Sequence, residues 1–153
     1  MQELAQEIDR EDCHLNIRIF ILKLLVNNSN LFKPYAAMWF EPICKFITYK
    51  QTGGKGFHYF LRDLTTLLIQ WSDIATPHVA SKAMKELCSK VINTLIKMSA
   101  DKSKLIFNIN IEIVATLLHN WRHLVTIDKV MIVKMLSTPE TVEGGHIWKM
   151  TAI

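Results

Sequence analysis

The chain has 153 residues, of which half are hydrophobic and 21% charged, and its 18 basic against 14 acidic side chains leave a formal charge of +4. That length suits one domain, and so apolar a composition excludes intrinsic disorder and is more usual where faces pack on neighbouring structure. Charges of both signs are scattered without a block of either, so the basic excess is only a weak pointer to polyanion binding.

The amino-terminal MQELAQEIDRED is acidic and polar where a secretory leader would be basic and then apolar. A first helix is predicted over 12–27, with Leu15, Ile17, Phe20, Ile21, Leu24 and Leu25 spread round most of its circumference, as in a helix covered on several sides. Its most apolar run, IFILKLLV at 19–26, contains Lys23 and falls short of the roughly 20 residues a membrane helix needs, so no segment is expected to span a bilayer. After the polar turn NNSN a second helix is predicted over 31–50, with Asn30 as N-cap and Pro34 in its first turn. Pro42 removes a helical hydrogen bond and should kink or split this helix near Phe40 and Glu41.

A third helix, over 56–72, follows the stretch QTGGKG. Thr76 and Pro77, an N-cap and a first-turn proline, then open a fourth over 78–98. Its Met84, Leu87, Val91, Leu95 and Met98 recur every three or four residues, opposite Lys82, Glu86, Lys90, Asn93 and Lys97. Asp101 or Ser103 caps a fifth helix over 103–122, and a sixth over 128–136 ends before Thr138-Pro139. Alternating β-branched runs and Asn-Gly hairpin turns are almost absent, so the class is all-α.

One internal echo organises these helices. Thr66 to Trp71 and Thr116 to Trp121 both read TLLxxW, 50 residues apart, at corresponding ends of the third and fifth helices. Pairs of helices at a period somewhat above 40 residues are the signature of HEAT-type α-solenoids. The final GGHIWKMTAI reads as the opening of another helix, so the chain is expected to be one α-solenoid segment over 1–153, cut mid-repeat at its C-terminus.

Candidate chemistry is sparse. TGGKGF matches neither GxxxxGK followed by Ser or Thr nor GxGxxG. Lys55 at a helix N-terminus would attract an anion, but the glycines read first as an elbow between helices. His119 and His123 stand four apart, a metal-ligand spacing, yet no third or fourth ligand accompanies them and Asn120 stands where HExxH would have its glutamate. Tyr35, Trp39, Phe46 and Tyr49 alternate with Lys33, Lys45 and Lys50, a pattern that stacks nucleic-acid bases, but they form one helical stripe that a core helix needs anyway. The lysine face of the fourth helix, with Glu86 as an i,i+4 partner for Lys90, reads as solvated. GxSxG, HRD and DFG are all missing, so no catalytic, cofactor-binding or metal residue is assigned. Cys13, Cys44 and Cys88 lie far apart without a CxxC pair and read as buried, reduced thiols of an intracellular protein.

Three stretches bear a family likeness. SNLFKPYAAMW at 29–39, GGKGFHY at 53–59 with Trp71 and Ala75-Thr76-Pro77 behind it, and INIEIVATLLHNW at 109–121 resemble the helical region of the DNA-dependent kinases of the phosphatidylinositol-3-kinase-related family. The resemblance runs from about Cys13 to about Trp148, and the closing STPETVEGGHIWKM departs from the family pattern. It implies an α-solenoid of HEAT-like, armadillo-like repeats within a large nuclear serine/threonine protein kinase, one that cradles the Ku heterodimer on broken DNA ends during repair by non-homologous end joining. It also implies that ATP and magnesium belong to a kinase domain outside this stretch, which therefore inherits no catalytic residue. The expectation is a non-catalytic scaffold whose partners are other repeats of the same chain, with no membrane and no small-molecule substrate. The alternative is a self-contained basic helical domain that binds a protein partner, or nucleic acid through Lys82, Lys85, Lys90 and Lys97.

Overall fold

The computed structural model describes residues 2–49, 55–71, 80–99 and 104–136, and every regular element among them is helical. In chain order these are α1 (Gln2–Asp9), α2 (Leu15–Asn27), α3 (Ser29–Phe32), a 3-10 turn (Lys33–Tyr35), α4 (Ala36–Thr48), α5 (Lys55–Gln70), α6 (Lys82–Ser99), α7 (Lys104–Trp121) and α8 (Lys129–Leu136). Gln51 to Gly54 of the glycine stretch, Thr76-Pro77, the candidate caps Asp101 and Ser103, Thr138-Pro139 and the closing GGHIWKMTAI lie outside the described residues.

Several boundaries differ from the sequence expectation, each for a local reason. The acidic N-terminus forms a helix of its own, α1, which buries Ala5 and Ile8 and packs on α4. The next helix starts at Leu15 rather than Asp12, because His14 has extended backbone and its Nδ1 accepts the Asn16 N–H at 3.3 Å, an N-cap arrangement. Asp12 is held outside that helix by Arg10, at 2.6 Å. Asn28, not Asn30, makes the next turn. Its backbone N–H donates to Leu24 and Leu25, its Nδ2 donates to the Leu24 carbonyl, and its own carbonyl accepts from Leu31 and Phe32.

The helix expected over 31–50 is divided, but not where Pro42 suggested. The break is the 3-10 turn that contains Pro34, while α4 continues through Pro42. One missing N–H costs a single bond, and here Trp39, Phe40, Ile43, Cys44 and Ile47 around the proline are all at most 1% exposed. Burying each large apolar side chain is worth about 1.5–3 kcal/mol, enough to hold the helix through the defect.

α6 begins at Lys82, where Ser81 Oγ accepts the Met84 N–H at 3.2 Å. Its buried residues are Cys88, Val91, Ile92, Leu95, Ile96 and Ser99, so the covered face is rotated away from the expected Met84 to Met98 stripe. The cause is that α6 packs on α4, α7 and α8, and Met84, Leu87 and Met98 are left half-buried. Ser89 and Asn93 hold the strap between α7 and α8: Ser89 Oγ accepts from Thr126 N at 2.8 Å and Asn93 Oδ1 from Asp128 N at 3.3 Å.

Packing sorts the helices into two files. α1 lies on α4, α4 on α6 and α6 on α8, whereas α2 lies on α5 and α5 on α7, with α6 against α7 joining the files. Trp39, Trp71 and Trp121 are all at most 2% exposed, and Phe40 meets Trp121 with ring centroids 6.0 Å apart. Phe46 meets Phe57 and Phe60 at 5.9 and 6.2 Å, tying α4 to α5. No described helix is long and apolar enough to cross a membrane.

Candidate functional site

The most polar buried place among the described residues is the seam between α5 and α7. His58 of α5, 3% exposed, sets Nδ1 at 3.4 Å from Oδ1 of Asn110, which is wholly buried on α7. One turn on, at the surface, Arg62 donates to Glu112 at 2.8 Å. Residue numbers rise together on the two helices, at offsets of 52 and 50, so α5 and α7 run parallel. Thr66 and Thr116 continue the series along one groove and each donates its hydroxyl to the carbonyl four residues back, those of Arg62 and Glu112. The TLLxxW echo is therefore a spatial correspondence as well as a textual one.

Arg18 forms a second polar place, at 7% exposure on α2. It donates to the Arg10 carbonyl, and its guanidinium carbon lies 5.0 Å from the Tyr49 ring centroid, a cation–π geometry. It thereby pins the α1–α2 loop to the end of α4.

The residues singled out in the sequence do not converge. His123 lies beyond the last residue of α7, in a turn where Leu124 N donates to Trp121 O, whereas His119 is on the helix, and both are exposed. Arg122 Nε contacts His123 Nε2 at 3.0 Å, and no group of three potential metal ligands occurs among the described residues. In the aromatic stripe Trp39 and Phe46 are core, while Tyr35 and Tyr49 are about half exposed. Lys45 is held at 2.9 Å by both Asp9 and Glu41, and hydrogen bonding to Asp9, then to Glu41, raises its affinity for its proton. On α6, Glu86 faces Lys82 at 3.9 Å rather than Lys90, and Lys90 and Lys97 are exposed. An open groove lined by Ser29, Asn30, Lys33, Gln70 and Trp71 brings parts of two of the family-like stretches together.

Cys44 and Cys88 are chemically quiet. Burial, with the nearby Cys88 adding to it, pushes the Cys44 thiol far above its ordinary range, and burial pushes Cys88 up to about 12. Neither is thiolate near neutrality, so neither is a nucleophile or a ready metal ligand. At the surface, Arg10 keeps the Asp12 carboxyl below the usual carboxylate range through a hydrogen bond.

Apolar side chains are exposed on several of the described helices, α2 and α8 among them. Ile17, Phe20 and Leu24 on α2 are 48, 62 and 38% exposed, and Val130 and Val133 on α8 are 76 and 62% exposed. α2, the helix predicted over 12–27, thus leaves one apolar side exposed, contrary to its all-round apolar pattern.

Residues 1–77 match the family described as DNA-dependent protein kinase catalytic subunit, CC3. Over 127 residues the chain is 34% identical to the DNA-dependent protein kinase catalytic subunit of Xenopus laevis, a match covering 83% of this chain and 3% of that one. It is 29% identical over 147 residues to the Gallus gallus protein of the same name, covering 95% of this chain and 4% of that one. With the Dictyostelium discoideum protein it shares 29% identity over 140 residues, covering 90% and 3%. The chain thus spans about 3–4% of the length of the curated relatives it matches.

Proposed function

The chain belongs to the DNA-dependent protein kinase catalytic subunit family, and from that premise we propose that it is a non-catalytic scaffold segment of such a protein, an α-solenoid of HEAT-like helix pairs. The observation that carries the reading is the parallel stacking of α5 on α7 at offsets of 50–52 residues, with the two TLLxxW stretches at matching places. α4 and α6, in the other file, begin 46 residues apart, close to the period of about 40–47 residues of HEAT and armadillo repeats. The exposed apolar stripes on α2 and α8 are the faces on which further repeats would sit.

The task of such a segment is positional. Each repeat contacts its neighbours only, and the small rotation between them, summed along the stack, forms a curved platform. By this reading the whole protein is a nuclear serine/threonine protein kinase of non-homologous end joining. Its partners are the Ku heterodimer and DNA ends, and its ATP, magnesium and catalytic residues sit in a kinase domain elsewhere in the polypeptide. The test is the size of the native polypeptide that contains these peptides, by immunoblot and mass spectrometry of source-cell lysate. A product of several hundred kilodaltons is expected; a product of 17.7 kDa would sink the reading in favour of a self-contained basic helical domain.

A further inference from the structure

The seam between α5 and α7 holds more polar chemistry than stacking requires. Asn110 is wholly buried, its Oδ1 faces His58 Nδ1 at 3.4 Å, and its Nδ2 has no partner. The other buried residues of the two helices are almost all apolar, among them Leu61, Leu64, Leu68, Ile113 and Leu117. A buried amide with one bond unmade is less favourable than a well-packed leucine of similar volume. Packing alone therefore does not call for an amide at position 110.

What a leucine seam lacks is a preferred offset. Ridges of one helix fit the grooves of its neighbour nearly as well after a slip of one turn, about 5.4 Å, whereas an amide meets an imidazole at one offset only. A single buried polar residue can fix register at some cost in stability, as in coiled coils. Arg62 and Glu112 pair one turn further along α5, at an offset of 50 against 52 for His58 and Asn110, but both are about half exposed. Solvent screens such a pair and lets it tolerate displacement, so it follows the register rather than setting it.

We infer that His58 and Asn110 are positioning residues that lock the register of one helical repeat on the next. The inference rests on the scaffold reading, in which the offset and angle between repeats are what the platform transmits.

The test uses the full chain with added cysteines at exposed positions, the native Cys13, Cys44 and Cys88 being buried. Thr66→Cys with Thr116→Cys reports the observed offset of 50; Thr66→Cys with Asn120→Cys reports a slip of one turn, since Asn120 stands on the same face as Thr116 and bonds its carbonyl. Each pair is crosslinked with dibromobimane in the parent chain and in a His58→Leu/Asn110→Leu background, and thermal unfolding is followed by circular dichroism. The parent is expected to link 66 to 116 only. The double-leucine chain should melt at or above the parent temperature, and its 66-to-120 product should rise by about tenfold or more. An unchanged crosslink pattern would overturn the lock, because the offset would then be fixed elsewhere. A markedly lower melting temperature would overturn it too, because the pair would then serve stability. Failure of the parent itself to link 66 to 116 would remove the parallel stacking, and with it the scaffold reading, which separates that failure from the other two.

Discussion

Two substitutions on α2, two residues apart, separate the face that holds this fold together from the apolar face it leaves exposed. Leu22 is wholly buried, whereas Phe20 is 62% exposed and shares its side of the helix with Ile17 and Leu24. Leu22→Ala removes core contacts and leaves a cavity, at a cost of about 2–5 kcal/mol. For a domain of this size, with about 2–4 °C lost per kcal/mol, that is a fall of roughly 4–20 °C in Tm. Phe20→Glu forfeits only the covered third or so of the ring, on the order of 1 kcal/mol where full burial is worth about 1.5–3, hence a few degrees. Association should respond in the opposite order. A contiguous apolar stripe that nothing covers drives self-association, so analytical ultracentrifugation should find the parent chain and Leu22→Ala associating as concentration rises, while Phe20→Glu sediments nearer the 17.7 kDa monomer. Two results refute the reasoning: a parent chain that stays a monodisperse monomer with a sharp cooperative melt, or a Phe20→Glu chain that melts as low as Leu22→Ala.

Further consequences can be measured on the same material. Cys44 and Cys88 should resist Ellman's reagent at pH 7.5 until denaturant opens the chain, and rapid labelling of the folded protein would contradict their burial. Because both thiols have a folded pKa above the unfolded value, their stabilising contribution is complete below about pH 9 and is lost as pH rises toward about 12, the value for Cys88. The slope is about 1.4 kcal/mol per pH unit per thiol, and Cys88→Ala should flatten it in alkaline urea titrations. Arg18→Met removes the donor to the Arg10 carbonyl and the cation over Tyr49, and should cost about 1–3 kcal/mol in urea unfolding; an unchanged midpoint would show that the α1–α2 loop is held by other contacts. Reversing Lys82, Lys85, Lys90 and Lys97 to Glu should leave affinity for duplex DNA unchanged, and a loss that scales steeply with salt would favour the basic-domain alternative.

Helix existence was legible from 3.6-residue periodicity in α4, α5 and α6 and from unbroken apolar length in α2 and α7, and the cores of all five fall within predicted helices. Boundaries depended on less visible groups: His14 caps through an imidazole nitrogen, and Asn28 closes one helix and opens the next. α1 escaped notice because eight residues with two buried side chains carry almost no periodic signal. Pro42 misled because its cost is local and the packing that offsets it is tertiary. The rotation of the buried face of α6 has the same origin, since three neighbouring helices compete for its surface. The polar seam was invisible for a different reason. His58 and Asn110 stand among several other polar residues of α5 and α7, and nothing in their spacing marks them as the buried ones; only the 50-residue echo hinted that the two helices lie side by side. Arg62 with Glu112, and Thr66 with Thr116, fall at that same spacing.

The location of the polar groups bears on where functional sensitivity should lie. In an enzyme the sensitive residues surround a reacting atom, and their effects fade within a few ångströms. In a stack of repeats an error in one step is inherited by all that follow. In the scaffold proposed above, a one-turn slip of α5 on α7 would displace whatever stacks beyond them by about 5.4 Å, well beyond the few tenths of an ångström that separate a good hydrogen bond from a lost one. The lysines of α6 hold no comparable leverage, since each is exposed or half-exposed and exchanges one solvated contact for another. Substitutions that impair a scaffold of this kind without unfolding it should therefore concentrate in the inter-repeat seams, at buried polar residues such as Asn110, rather than on its most charged surface.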